Sequence, residues 1–127
     1  MPQKKIYIID DDPIYQLVTR KLIEKTNLFS EVKAFENGYK ALDYFSQTGD
    51  LPDVILLDIE MPEMDGWNFL DELLEIEKKF EKDAIIYIAS SSIAHQDKAK
   101  SRTYASVKDF LSKPLNLDKL KAIALEE

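Results

Sequence analysis

Val54-Ile55-Leu56-Leu57-Asp58-Ile59-Glu60-Met61-Pro62 decides the fold of this chain. An apolar run ends abruptly in a carboxylate, and a proline and Asp65-Gly66 follow as loop signals. A short apolar run bounded in this way predicts a strand buried on both faces, as in a parallel sheet. Asp58 then stands at the C-terminal tip of that strand, where an acid is either a cap for the next turn or a working group.

Working outward, Ile6-Tyr7-Ile8-Ile9 is a second apolar, β-branched run and predicts the first strand. It ends in Asp10-Asp11-Asp12-Pro13. Asp12 suits a helix N-cap with Pro13 at the first helical position, a metal role for Asp12 being the alternative. Ile14, Leu17, Val18 and Leu22 recur at helical spacing and predict the buried stripe of the first helix, with Arg20, Lys21 and Lys25 off it and Asn27 at its end. Glu31-Val32-Lys33-Ala34-Phe35 alternates polar and apolar, as a less buried strand does. Asn37-Gly38 marks a turn, and Ala41, Leu42 and Phe45 make the stripe of the second helix.

Beyond Gly66, the residues Phe69, Leu70, Leu73, Leu74 and Ile76 predict a third helix, with Glu75, Glu77, Lys78 and Lys79 on its solvated side. Ala84 to Ala89 predicts the fourth strand, ending in Ser90-Ser91-Ser92. Ile93 to Tyr104 is polar and predicts the weakest of the helices. Val107 to Leu111 reads as the fifth strand, broken by Ser112-Lys113-Pro114. Asn116 then caps a last helix, with Leu115 and Leu120 as a hydrophobic staple and Leu117, Leu120 and Ala124 on its buried face.

Five strands alternating with five helices predict one doubly wound α/β domain over residues 1–127, with right-handed crossovers and helices on both faces of a parallel sheet. A common strand order for such sheets is 2-1-3-4-5, and ligands bind beyond the carboxyl ends of the strands where the order reverses. Asp10, Asp11 and Asp58 fall at those ends, with Ser90 ending the fourth strand and Lys113 following the fifth.

Composition narrows the partners. A net charge of −7 argues against a general nucleic-acid or anionic-membrane binder. The chain has no cysteine, which excludes disulfides and thiolate metal sites and fits a cytoplasmic location. No apolar run approaches the roughly 20 residues that span a bilayer, and Met1-Pro2-Gln3-Lys4-Lys5 leads into no signal-peptide core.

Three carboxylates in one crevice repel one another, and a divalent cation removes the conflict. Asp10, Asp11, Asp58 and the Lys113 ammonium together with Mg²⁺ are neutral. Mg²⁺ takes hard oxygen ligands and few carboxylates, which leaves room for a phosphate oxygen. Ser90 can donate to that phosphate and Lys113 can pair with it. This set supports phosphoryl transfer, with Asp58 itself a possible nucleophile.

Asp10-Asp11, Asp58 with Met61-Pro62 and Asp65-Gly66 behind it, Ser90, and Lys113-Pro114 occur in the order and spacing of one family. Over nearly its whole length the chain resembles a receiver domain of the response regulators of two-component signalling. The resemblance implies that Asp58 is the phosphoacceptor, that Asp10 and Asp11 serve Mg²⁺, and that Lys113 contacts the phosphoryl group. It implies a histidine kinase or phosphotransfer domain as donor and a downstream protein as target, with no direct nucleic-acid or membrane role. It also implies a cis Lys113-Pro114 peptide. The switch hydroxyl falls on Ser90, with Ser91 as the fallback. The switch aromatic falls on Phe110, which lacks a hydroxyl and so signals by packing. The face built from the fourth helix, fifth strand and fifth helix is then expected to change shape.

Further residues carry weaker signals. Glu60 is either solvated or faces the phosphoryl group and tunes its hydrolysis. His95 has no evident partners for a ligand role and reads as surface. Trp67 reads as core packing. Lys98, Lys100 and Arg102 form a solvated face or a contact for an acidic partner. The rival function is a Mg²⁺-dependent aspartyl-phosphate hydrolase, which calls for a substrate-enclosing cap that a chain of this length does not accommodate. An interaction domain whose acids no longer work is a third possibility, and the complete acid–serine–lysine set argues against it.

Overall fold

The computed structural model describes residues 3–61, 63–90, 99–100 and 102–126. In chain order the elements are β1 (Lys4–Ile9), α1 (Pro13–Thr26), β2 (Phe29–Phe35), α2 (Gly38–Thr48), β3 (Val54–Leu57), α3 (Gly66–Phe80), β4 (Ile85–Ser90), β5 (Val107–Ser112) and α4 (Leu117–Leu125). The strands form one parallel sheet in the order β2-β1-β3-β4-β5. Five helices were expected, and four are present among the described residues. Most of the expected helix over Ile93 to Tyr104 lies outside the described residues, as do Ser91, His95 and Lys98.

Alternation along the central strands divides the core in two. Tyr7, Ile9, Ile55, Leu57, Ile86 and Ile88 point to one face and meet Ala41 and Phe45 of α2 and Phe69, Leu70 and Leu73 of α3. Ile6, Ile8, Val54, Leu56 and Tyr87 point to the other and meet Ile23 of α1 and Leu120 and Ile123 of α4. β3 is buried at every position because it is central and covered on both sides.

The N-caps predicted at Asp12 and Asn116 are present, and the turn at Asn37 and the loop at Asp65 supply two more. The Asp12 carboxylate accepts from the N–H groups of Ile14 and Tyr15, so its side chain is occupied as a cap. Asn37 caps α2, Asp65 caps α3 and Asn116 caps α4. Asn27 ends α1 in the left-handed region at φ 55°.

Three helix faces differ from expectation. On α1 the buried residues are Thr19, Ile23 and Thr26, whereas Ile14, Leu17 and Val18 are exposed and Leu22 is partly buried. Threonine can face the core here because Thr26 Oγ1 donates to the Ile23 carbonyl and accepts from the Leu28 N–H. On α3 Glu77 is buried rather than solvated and Leu74 is exposed. Glu77 continues the Leu70–Leu73 line, and its carboxylate accepts from the Ala84 N–H at 2.7 Å, which satisfies the chain as it enters β4. On α4 the buried face is Leu120 and Ile123, with Leu117 and Ala124 only partly buried. Among the described residues no helix is long and apolar enough to cross a membrane.

Candidate functional site

The carboxyl ends of β1, β3, β4 and β5 deliver the predicted residues to one crevice. Parallel pairing fixes the depths of the tips: Ile9 stands opposite Leu57, Leu57 opposite Ile88, and Ser90 opposite Ser112. One residue beyond, the Asp58 N–H donates to the Ile9 carbonyl at 2.9 Å and the Lys113 N–H to the Ser90 carbonyl at 3.0 Å. Asp10 and Asp58 are buried, Asp11 is exposed, and a carboxylate oxygen from each lies within 4.8 Å of those of the other two.

Lys113 reaches into the same space. Its Nζ lies 2.6 Å from Asp10 Oδ2 and 3.6 Å from Asp58 Oδ2. Burial would lower its pKa, but the hydrogen bond to Asp10 and the charges of Asp10 and Asp58 outweigh that, and the net shift is upward. The ammonium therefore stays charged. Burial pushes Asp58 the other way for an acid, up to about 6, reinforced by the charges of Asp10 and Asp11 and opposed by the Glu60 N–H and by Lys113. A carboxylate so placed is partly desolvated yet ionised at neutral pH. The Lys113–Pro114 peptide is cis.

Ser90 is fully buried at the tip of β4. Phe110 lies on β5 opposite Ile88, partly buried against the α2–α3 side of the core. Glu60 has an exposed side chain, but its backbone N–H donates to Asp58 Oδ1 at 3.0 Å. Trp67 is buried, stacked on Tyr104 at 5.6 Å between ring centroids, with Lys100 Nζ 5.2 Å from its ring. Arg102 is exposed.

Two contributors escaped the sequence reading. The Gln16 amide donates to the carbonyls of Asp10 and Phe35 at 2.5 and 2.9 Å, fastening α1 to the tips of β1 and β2. The Asp12 N–H donates to Asp10 Oδ1 at 2.9 Å and orients that carboxylate. A usable signal for Gln16 was its place one turn into a helix whose side chains lean back toward the N-terminus.

The donor set fits a divalent hard cation. Three oxygen-bearing acids converge, no softer ligand accompanies them among the described residues, and the Asp58 pKa, raised chiefly by burial and further by the charges of Asp10 and Asp11, belongs to a carboxylate that a cation would stabilise in its ionised form.

Strand order, the acidic crevice at the sheet's reversal point and the lysine after β5 define a doubly wound protein of the receiver type. The chain belongs to the response regulator receiver domain family, whose match covers residues 6–125. Receiver domains act as phosphoacceptor switches in two-component signalling. The chain is 30% identical to the chemotaxis protein CheY of Bacillus subtilis over 91% of this chain and 90% of that one. It is 32% identical to hybrid signal transduction histidine kinase L of Dictyostelium discoideum over 94% of this chain but only 7% of the kinase. Across further curated relatives it spans 30% and 50% of their length. A two-component response regulator from Cytophaga hutchinsonii superposes with a TM-score of 0.86 at 26% identity, covering 100% of both chains.

Proposed function

We propose that this chain is one receiver unit over residues 1–127 and works as a phosphorylation-dependent switch in the cytoplasm, with Asp58 as the phosphoacceptor. The observation that carries this reading is the convergence of Asp58 with Asp10, Asp11 and the Lys113 ammonium at the carboxyl ends of the strands. The donor is a phosphohistidine on a histidine kinase or phosphotransfer domain. An Asp58 carboxylate oxygen attacks phosphorus as the P–N bond breaks, and the electron pair stays on the imidazole nitrogen. Asp10, Asp11 and Asp58 would hold Mg²⁺, which when bound supplies positive charge to the phosphoryl oxygens. Lys113 exchanges part of its pairing with Asp10 for the phosphoryl group. Glu60, whose side chain is exposed beside Asp58, tunes how long the adduct survives.

Phosphorylation adds charge and acceptor oxygens at Asp58. The Ser90 hydroxyl turns toward them, Phe110 repacks, and the face around β5 and α4 changes for a downstream partner. A shift from 1:99 to 99:1 requires the phosphoryl group to favour the active arrangement by about 5.5 kcal/mol. The exposed apolar side chains of Ile14, Leu17 and Val18, on the helix that starts at the crevice, suit the docking of the phosphodonor.

The test is incubation with a small-molecule phosphodonor and Mg²⁺, followed by intact-mass measurement. A single phosphoryl adduct absent from Asp58→Asn is expected. An adduct of equal yield on Asp58→Asn sinks the assignment, and sustained hydrolysis of the donor's ester analogues points to the hydrolase instead.

A further inference from the structure

We infer that Tyr15 is a positioning residue for Lys113, holding the ammonium by its aromatic face at the site proposed above for phosphoryl transfer. Lys113 Nζ lies 4.2 Å from the centroid of the Tyr15 ring, well inside the range in which a cation is drawn to a ring quadrupole. The same nitrogen is 2.6 Å from Asp10 and 3.6 Å from Asp58. An ammonium has three donors and no acceptor, so two carboxylates and one π face surround it.

The ring does something that another polar group would not. A further acid would deepen the repulsion among Asp10, Asp11 and Asp58. An amide or hydroxyl acceptor would compete with an incoming phosphoryl oxygen for an N–H. The ring attracts the charge without neutralising it, and it holds the lysine stem in place while the ammonium is shared among anions. Its own position is fixed from behind. Tyr15 lies one turn into α1 and packs against the core cluster that contains Ile6, Ile8, Leu111 and Leu115, the last two flanking Lys113. That packing ties α1 to the lysine's own segment.

The phenol oxygen is not what the site uses. It is buried, and it completes no hydrogen bond of good geometry among the described residues, although Thr19 approaches from the next turn. The part of Tyr15 that faces Lys113 is the ring, so phenylalanine should replace it.

The experiment compares wild type, Tyr15→Phe, Tyr15→Leu and Tyr15→Met, each checked for fold by circular dichroism. In NMR spectra recorded without phosphodonor, the Lys113 ε-methylene protons should be shifted upfield by the ring current in wild type and Tyr15→Phe. They should return to ordinary lysine values in Tyr15→Leu and Tyr15→Met. With a small-molecule phosphodonor and Mg²⁺, the two aliphatic variants should lose about 5- to 30-fold in the saturating rate of Asp58 phosphorylation, the range of a partly desolvated cation–π contact. The donor concentration at half-saturation should move less, and Tyr15→Phe should match wild type. Unshifted Lys113 protons in wild type overturn the inference, as does a Tyr15→Phe variant as slow as Tyr15→Leu. So do aliphatic variants that fold and keep the full rate. A wild type that takes up no phosphoryl group yet shows the ring-current pattern refutes the phosphoacceptor reading and upholds the placement of Lys113 by Tyr15.

Discussion

The Lys113 ammonium is seated 2.6 Å from the buried Asp10 carboxylate, so its tightest partner in the crevice is Asp10. Removing the lysine strands an acid that is only 1% exposed. Breaking a buried pair from one side costs about 3–5 kcal/mol. The Lys113→Ala variant should therefore unfold at markedly lower urea concentration than wild type, and millimolar Mg²⁺ should restore more stability to it than to wild type. If urea titrations show equal Mg²⁺ responses, Lys113 does not offset the acids in the way described. In the switch proposed above Lys113 links the phosphoryl group to β5, so phosphorylation of this variant should also leave amide resonances around Phe110 unmoved.

Asp58 carries a pH signature of its own. Burial raises its pKa from the ordinary 3.8 to about 6. Between those values the folded chain binds a proton that the unfolded chain has released, so this group's contribution to stability falls as pH rises from about 4 to about 6 and is flat above. At pH 7 its ionisation costs on the order of 2–3 kcal/mol. Asp58→Asn removes that cost and keeps an acceptor for the Glu60 N–H, while losing the attraction to Lys113. The variant should be more stable than wild type by about 1–3 kcal/mol at pH 7 and should converge with it near pH 4. Denaturant melts across that range decide it, and an Asp58→Asn protein no more stable at pH 7 would show that the crevice relieves the charge by other means.

Gly66 couples helix α3 to the loop that follows Asp58 through lack of space. A β-carbon there would stand 2.7 Å from Ile59 Cα and 3.0 Å from the Asp58 carbonyl oxygen, backbone atoms that cannot swing aside. Overpacking of this kind costs about 1–3 kcal/mol, more than the roughly 1 kcal/mol that alanine gains over glycine in a helix. Gly66→Ala should lower the melting temperature and slow Asp58 phosphorylation together, since relief requires Ile59 and Asp58 to move. A variant of raised stability with an unchanged rate would show that the loop yields freely.

Why some of this was legible in the sequence and some was not follows from how each feature is encoded. β1 and β3 announce themselves because strands covered on both faces carry unbroken apolar runs. Once the order 2-1-3-4-5 is adopted, topology alone brings Asp10, Asp11, Asp58, Ser90 and Lys113 together. Asp12 and Asn116 are readable as caps because a short polar side chain just before a helix has a specific unpaired N–H to meet. The face of α1 was not readable from apolarity. Its inward ladder runs through Tyr15, Thr19, Ile23 and Thr26, with the two threonines buried while Ile14, Leu17 and Val18 stay outside. The Glu60 N–H bond to Asp58 involves no side chain of Glu60 and leaves no mark on residue choice. The Tyr15–Lys113 contact joins the first helix to the end of the last strand, and local periodicity carries no information across that gap.

Glu77 shows the same limit from the opposite direction, because its spacing placed it inside while its charge argued that it was outside. The carboxylate is buried, and burial raises its pKa against the opposing hydrogen bond from Ala84. It accepts the Ala84 N–H at 2.7 Å just before β4 begins, so it sets where that strand enters the sheet. Glu77→Ala should cost about 1–3 kcal/mol by leaving the Ala84 N–H unpaired in the interior. Glu77→Gln keeps an oxygen in that position and no longer buries an ionisable group, so it should cost much less, and its stability should depend less on pH than that of wild type in the range where Glu77 titrates. Hydrogen exchange at the Ala84 amide gives a local readout beside the melts: exchange should accelerate in Glu77→Ala and stay slow in Glu77→Gln. Equal protection in both variants would mean that Glu77 is held by its neighbours rather than holding them. Ser90 closes the same strand at the crevice end, so in the switch proposed above a Glu77→Ala protein that lets β4 slip should also blunt the response of Phe110 to phosphorylation, although Glu77 meets the chain at the opposite end of that strand.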